Sequence, residues 1–296
     1  MKSKYKFKVY LLKWISAEGG MKRLNCDGYN MNYVHGYSSR EYERLEDQSL
    51  ILETLLHQGT AYQKDELVLE AGCGIGAQTR ILAKRSPEAK FTSIDISEKS
   101  LSKAKKEIKN RNITNVVFRQ ENVMKMSFED ESFHHIFVCF VFEHLEEPDR
   151  TLLELKRVLK PGGSLTVIEG DHGSCFWFPQ SRDSLEVWKA LIQAQKNIGH
   201  DPLIGRRLYP LLKQADFNIE EISPRYVYAD YLNPDLLDGV VNNIIVPMVQ
   251  SAKDQILSNS ILSDTCWHKG IKELSDVGVD PFGTFFYTWF KALVYK

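Results

Sequence analysis

Between Leu67 and Asp95 lies the stretch that most restricts what this chain can become. The apolar run Leu67, Val68 and Leu69 has the character of a buried strand. It leads straight into Glu70, Ala71, Gly72, Cys73, Gly74, Ile75 and Gly76, and a helical pattern then begins at Gln78, with Ile81, Leu82 and Ala83 on one face. Three glycines at alternate positions make a turn so bare that backbone N–H groups can come close to a ligand. A second strand, Lys90 to Ile94, closes on Asp95, 19 positions beyond Gly76. In nucleotide-binding α/β units an acid about 20 residues on accepts hydrogen bonds from ribose hydroxyls. Loop and acid therefore support each other.

The spacing differs from the dinucleotide fingerprint, whose third glycine falls three positions after the second and whose loop must fit a pyrophosphate. An acid at Glu70 would repel a phosphate, but could help place a positively charged ligand by direct or water-mediated hydrogen bonds. The string Glu70 to Gly76 resembles the E/D-x-G-x-G-x-G loop of class I S-adenosylmethionine-dependent methyltransferases, and Asp95 falls where that family has its ribose acid. The resemblance implies a cofactor site made of Glu70, Gly72, Gly74, Gly76 and Asp95 with its neighbour Ile96. It extends to Asn122 and Val123 after the third strand, where the family usually has an acid that reads the adenine amino group. The Asn122 carbonyl can accept the same hydrogen bond. Cys139 at the end of the fourth strand, and Tyr33 as part of a roof shared with Tyr37, complete the set. Met124, Met126 and Phe128 are candidates to sandwich the adenine ring, or simply to pack the loop.

Further along, Glu143, His144 and Leu145 resemble the L-E-H-L stretch of small-molecule methyltransferases, and Arg157 to Gly163 reads R-V-L-K-P-G-G, a helix stop with a turn that is also typical of the family. C-methyltransferases of quinone biosynthesis share these motifs. The likeness covers roughly residues 64 to 170.

The chain has 296 residues, 43% hydrophobic and 26% charged, with a formal net charge of −1. That length supports a large core. Near-neutral charge gives no electrostatic case for a nucleic-acid partner. The five cysteines are odd in number and scattered, which fits reduced thiols in a cytoplasmic protein. There is no run of about 18 apolar residues that would imply stable membrane insertion. Residues 1–31 read as an N-terminal arm rich in lysine and aromatics, expected to be poorly ordered.

The remainder, 32–296, reads as one α/β domain. The expected fold is a Rossmann-like sheet of seven strands, mostly parallel, with helices on both faces and an antiparallel last strand. Its core would comprise 64–231 and 281–296, with a helical lid inserted at 232–280. A helix from Arg40, capped by Ser38 or Ser39, should bury Leu45, Ile51, Leu52, Leu55 and Leu56. Later elements are helices at Ser181–Ile198 and Arg206–Ala215, a strand at Asn218–Tyr231 and a last strand at Thr284–Val294.

Methyl transfer from a sulfonium requires an acceptor held in line at about 3 to 3.5 Å and the exclusion of water. Where the acceptor carries a proton, a base must remove it. His144, Asp171 and His172, in loops leaving the fourth and fifth strands, are the candidate catalytic residues; hydrogen bonding within those loops is the competing role for His144 and Asp171. His134 and His135 are adjacent on a strand and face opposite ways, so no metal site is expected there. The expected substrate is a small or lipid-like methyl acceptor, partly apolar, to which aromatics such as Trp177, Tyr226 and Phe285 are suited. A homodimer is a further expectation. Two other readings stay open: a non-catalytic cofactor-binding protein, and a nicotinamide oxidoreductase, which the glycine spacing and Glu70 disfavour.

Overall fold

The computed structural model describes residues 35, 36 and 38–296. The expected arm at 1–31 and the aromatic pair Tyr33 and Tyr37 lie outside the described residues.

Five strands build the parallel part of the sheet: β1 (Leu67–Ala71), β2 (Lys90–Asp95), β3 (Val116–Gln120), β4 (Phe133–Cys139) and β5 (Leu159–Gly170). They lie in the order β3-β2-β1-β4-β5 with parallel pairing throughout. Val68 and Leu69 of β1 and Ile136 to Val138 of β4 are the buried apolar centres that helix-covered parallel strands require. The crossovers are α3 (Thr79–Arg85), α4 (Glu98–Asn110) and α5 (Pro148–Val158). Because β1 lies between β2 and β4, the chain order reverses beside it, and the crevice beyond the carboxyl ends of β1 and β4 is where open α/β sheets bind ligands.

The sheet is completed by β7 (Asn218–Asp230) and the last strand, β8 (Thr284–Tyr295), which runs antiparallel to both β5 and β7. The seven expected strands are joined by a short eighth, β6 (Phe176–Phe178), paired with Thr284 to Phe286 at the end of β8 that β5 does not reach. Three residues are too few for an alternation pattern to announce a strand. Before and after β7 come α6 (Arg182–Asn197), α7 (Leu208–Gln214), α8 (Pro234–Asp238), a π-helical segment at Gly239–Ile245, α9 (Val246–Ser251), α10 (Lys253–Ser258) and α11 (Asp264–Asp276). The π-helical segment packs on α1 (Ser39–Ile51), and α11 packs on α6.

Ser38 caps α1 as expected, its Oγ accepting from the Glu41 N–H at 3.1 Å. The chain then breaks at Leu52 before α2 (Glu53–His57). The buried face of α1 departs from expectation. Glu41, Tyr42, Arg44 and Ser49 are its buried residues, while Leu45 and Ile51 are only half-buried. The ion pair of Arg44 with Glu41 lets charge enter this interior, because each partner satisfies the other. Among the described residues no helix is long and apolar enough to cross a membrane.

Candidate functional site

All three glycines of the loop have positive φ, +76° at Gly72, +52° at Gly74 and +80° at Gly76. Their surroundings differ. A Cβ at Gly72 would stand 2.5 Å from Val141 Cγ2 and one at Gly76 3.0 Å from Ala104 Cβ, whereas one at Gly74 would meet nothing within 4 Å. Gly72 and Gly76 therefore permit close packing of the loop on its neighbours, and Gly74 leaves open space at the crevice. The loop is pinned by Gly72 N–H and Cys73 N–H, which donate to Ile94 O at 2.9 and 2.8 Å.

Asp95 takes part in the same pinning. Its Oδ2 accepts from the Gly74 N–H and its Oδ1 from the Ser97 N–H, each at 2.8 Å. The Ile96 N–H is a third backbone donor to this carboxylate, which keeps acceptor capacity for one more hydrogen bond. Burial raises its pKa from the ordinary carboxylate value, while the backbone donors pull the other way. Glu70 is buried, and its Oε2 accepts from Thr79 Oγ1 and Ser93 Oγ, each at 2.6 Å. Burial pushes Glu70 up to about 7. The carboxyl thus ties β1 to β2 and to the first turn of α3. Ile96 is half-buried, with its carbonyl accepting from Gln120 Nε2 at 2.9 Å. The Asn122 side-chain carbonyl, expected to face adenine, accepts from the Met124 N–H at 2.9 Å, which folds the loop on itself and leaves one lone pair. Val123 is buried. Phe128 packs edge-on against Phe133, the loop-packing role of the two considered for it.

A second group of residues surrounds a cavity of about 70 Å³. Its apolar wall includes Phe140, Val227, Val240, Ile244 and Met248, and its polar wall is Arg44, Gln48, Glu143, His144, His172 and Tyr287 with His35. Phe140, the residue after β4, has φ +55°, a strained position for a bulky residue. The loop that follows is shaped by Glu169, fully buried near the end of β5. Its Oε1 accepts from the Val141 and Phe142 N–H groups at 2.9 and 2.8 Å, and its Oε2 from the Glu143 N–H at 3.3 Å. Burial, and then the nearby Glu143 carboxyl, push Glu169 up to about 8. Val141 packs over Gly72 two residues before Glu143, so glycine loop and cavity meet at this short turn.

His144 lies in the cavity wall, with Nε2 at 3.6 Å from Glu143 Oε1 and its ring edge-on to His35 and His200. Burial lowers its pKa well below the ordinary value. His172 Nδ1 is 2.9 Å from Tyr287 OH, and its carbonyl accepts from Trp188 Nε1 at 2.9 Å. Burial lowers His172 to about 3, so its ring is neutral. Asp171 takes the loop-bonding role of the two set out for it. Arg206 holds both its oxygens and its Oδ1 also accepts from the Gly173 N–H, outside the cavity wall. Such a carboxylate is a structural anchor and is poorly placed to be a base. Cys139 is half-buried on β4 opposite Ile168 of β5, and burial holds its thiol pKa well above the ordinary value.

The histidine pair behaves as strand geometry requires. His134 Nδ1 accepts from the Leu67 N–H, while His135 faces Ser164 and Glu66. Among the described residues no three His, Cys, Asp or Glu side chains are grouped to hold a metal ion. Sequence reasoning missed Arg44, Glu169 and Tyr287, and took Glu143 only as part of a motif. A lone acid at the end of the apolar run Leu165 to Ile168 was the available signal for Glu169.

Comparison with known proteins bears on this geometry. The family described as "Methyltransferase domain" matches residues 69–167, from β1 into β5. That stretch of the chain is similar to methyltransferase domains. An uncharacterised methyltransferase of Schizosaccharomyces pombe is 31% identical over 180 residues, 57% of this chain and 63% of that protein. A demethylmenaquinone methyltransferase of Geobacillus stearothermophilus is 32% identical over 119 residues, 40% of this chain and 51% of that protein. The chain thus spans less than two thirds of either relative. In fold, a Bacillus halodurans protein assigned as a methyltransferase superposes with a TM-score of 0.53 at 20% identity, covering 83% of this chain and 98% of its own.

The cofactor of such a methyltransferase domain is S-adenosylmethionine. The site fits it on two observations: the open space over Gly74, and a donor set in which Asp95 offers acceptors and the loop offers backbone N–H groups.

Proposed function

We propose that the protein is an S-adenosylmethionine-dependent methyltransferase acting on a small, partly apolar molecule by in-line displacement. The observation that carries this reading is the shared turn. Val141 closes over Gly72 of the cofactor loop, and Glu143 and His144, two and three residues on, belong to the polar wall of a cavity whose other wall is apolar. A methyl donor in the crevice and an acceptor in the cavity would be neighbours, as in-line transfer needs.

In this reading Gly72, Gly74 and Gly76 let the backbone approach the amino-acid half of the cofactor, and Asp95 accepts from its ribose hydroxyls. Asn122 and Val123 border the adenine. When bound, the cofactor supplies an electrophilic methyl group on a sulfonium. The protein supplies binding, orientation and a space from which Val240, Ile244 and Met248 exclude water.

Two measurements test it. Calorimetry should show S-adenosylhomocysteine binding and no NADH binding, with Asp95→Ala weakening the former by about 1 to 3 kcal/mol. Methyl-labelled cofactor incubated with a small-molecule extract should pass its label to a product. NADH binding in place of the nucleoside, or full affinity in the Asp95 variant, would refute the reading.

A further inference from the structure

Glu143 and His172 both line the cavity, and each carries a buried atom with no hydrogen-bond partner among the described residues. Glu143 Oε2 and His172 Nε2 are 3.8 Å apart, both buried, and neither has a partner among the described residues. The gap is too long for a hydrogen bond between them. Buried polar atoms left unsatisfied are costly, and where they persist a partner from outside the chain is the natural explanation.

Neither side chain is placed loosely. The backbone of Glu143 is held by Glu169 through the Val141, Phe142 and Glu143 N–H groups. His172 is held at Nδ1 by Tyr287, at its carbonyl by Trp188 and at its N–H by Pro202 O. The Glu143 carboxylate beside Nε2 favours the tautomer with its hydrogen on Nε2, in which the Tyr287 hydroxyl donates to Nδ1. The pair therefore offers one acceptor, Glu143 Oε2, and one donor, His172 Nε2–H, from nearly the same place. A hydroxyl answers both through a single oxygen. A carbonyl or ether accepts without donating, and an ammonium donates without accepting.

Resting on the methyltransferase reading above, we propose that the methyl acceptor is a phenol-type hydroxyl on an apolar body, seated between Glu143 Oε2 and His172 Nε2–H, and that Glu143 is the base that takes its proton. The hydroxyl oxygen gives an electron pair to the new O–CH₃ bond as the S–CH₃ bond of the cofactor breaks. The O–H proton passes to Glu143 Oε2, and the sulfonium departs as a neutral thioether, so charge and atoms balance. Phe140, Val240, Ile244 and Met248 surround the ring that carries the hydroxyl. Burial sets Glu143 at about 7, which suits a base working near neutral pH on a phenol, whose own pKa is near that of tyrosine, about 10.

The test uses the full chain saturated with S-adenosylhomocysteine, with 4-ethylphenol and its methyl ether, 4-ethylanisole, as probes. Calorimetry should show the phenol binding at least about tenfold more tightly than the ether. Glu143→Leu should abolish that preference while leaving nucleoside binding unchanged, which also shows that the variant folds. Glu143→Gln keeps an oxygen acceptor and should retain phenol binding, but ether formation from S-adenosylmethionine in a single turnover should fall by about 100-fold. Equal binding of phenol and ether by the wild type overturns the proposal without recourse to any variant. A preference that survives Glu143→Leu, wild-type enzyme that forms no ether, or undiminished ether formation by Glu143→Gln does the same. If the wild type fails to bind S-adenosylhomocysteine, the methyltransferase reading itself falls; if it binds and the phenol results fail, only the hydroxyl seat is lost.

Discussion

Arg206 grips Asp171 through two parallel hydrogen bonds, Nε to Oδ2 at 2.7 Å and Nη2 to Oδ1 at 2.8 Å. Asp171 is buried while half of the Arg206 side chain meets solvent, so the pair pins the turn after β5 to the segment before α7 at the edge of the fold. Asp171→Ala should lower stability by about 2 kcal/mol in urea unfolding, the scale of hydrogen bonds to a charged group, and leave S-adenosylhomocysteine affinity unchanged. A loss of nucleoside affinity with stability intact would restore Asp171 to the list of site residues.

The glycines of the cofactor loop should separate in the same way. Gly72→Ala drives a Cβ into Val141 and should reduce stability by about 2 kcal/mol or more, through overpacking added to the positive φ. Gly74→Ala meets no atom of the protein, so its stability cost should be near 1 kcal/mol, from backbone conformation alone. Its nucleoside affinity should nonetheless fall about tenfold or more, because the new methyl group occupies the crevice. Thermal unfolding beside calorimetry measures both, and equal affinity in the Gly74 variant would place the ligand elsewhere.

Stability should peak at about pH 6 to 6.5. Burial raises Glu70 and Glu143 to about 7 and Glu169 to about 8, so the folded chain binds more protons than the unfolded one between about 4.5 and 8, and stability falls as pH rises through that window. His57 and His200 are lowered to about 4, His172 to about 3, and burial holds His35 and His144 well below the ordinary value, so below about 6.5 the unfolded chain binds more protons at these five rings and stability falls as pH drops. Between 6.5 and 8 the carboxyls dominate. Glu169→Gln, which keeps the shape of the side chain, should flatten the alkaline limb of a urea-midpoint profile. A wild-type profile that climbs steadily to pH 8 would refute these protonation states.

Lys291 joins the last strand to the N-terminal helices. Its Nζ donates to Leu56 O at 3.3 Å, Gln58 O at 2.8 Å and Thr60 Oγ1 at 2.6 Å, where the carbonyls at the end of α2 need donors. Burial lowers its pKa to about 8. Lys291→Met fills the same space without a donor and should destabilise by about 2 to 3 kcal/mol in urea unfolding. A neutral substitution would show that water can replace the ammonium there.

Much of the frame was legible because local chemistry specifies it. The strand-glycine-helix unit at Leu67–Arg85 and the cap at Ser38 each follow from residues a few positions apart, whereas the turn expected at Pro161–Gly163 lies inside β5. The opposed histidines follow from the two-residue period of a strand. The polar face of α1 was not legible, because Arg44 and Glu41 are acceptable inside through their ion pair, and Arg44 borders the cavity. Asp171 looked like a base for a similar reason. Its partner is 35 residues further on, a separation at which no periodicity operates.

The sequence alone determined that this chain forms a parallel sheet with a ligand crevice beside β1, since glycine spacing, strand runs and the acid at position 95 act over short distances. Tertiary structure decided which acids and histidines face the cavity and which are tied up as anchors. Glu143, Glu169 and Asp171 are equivalent carboxylates as text. Burial and the donors brought to each by distant segments make one an unpaired group beside His172, one the clamp of a turn and one the partner of Arg206.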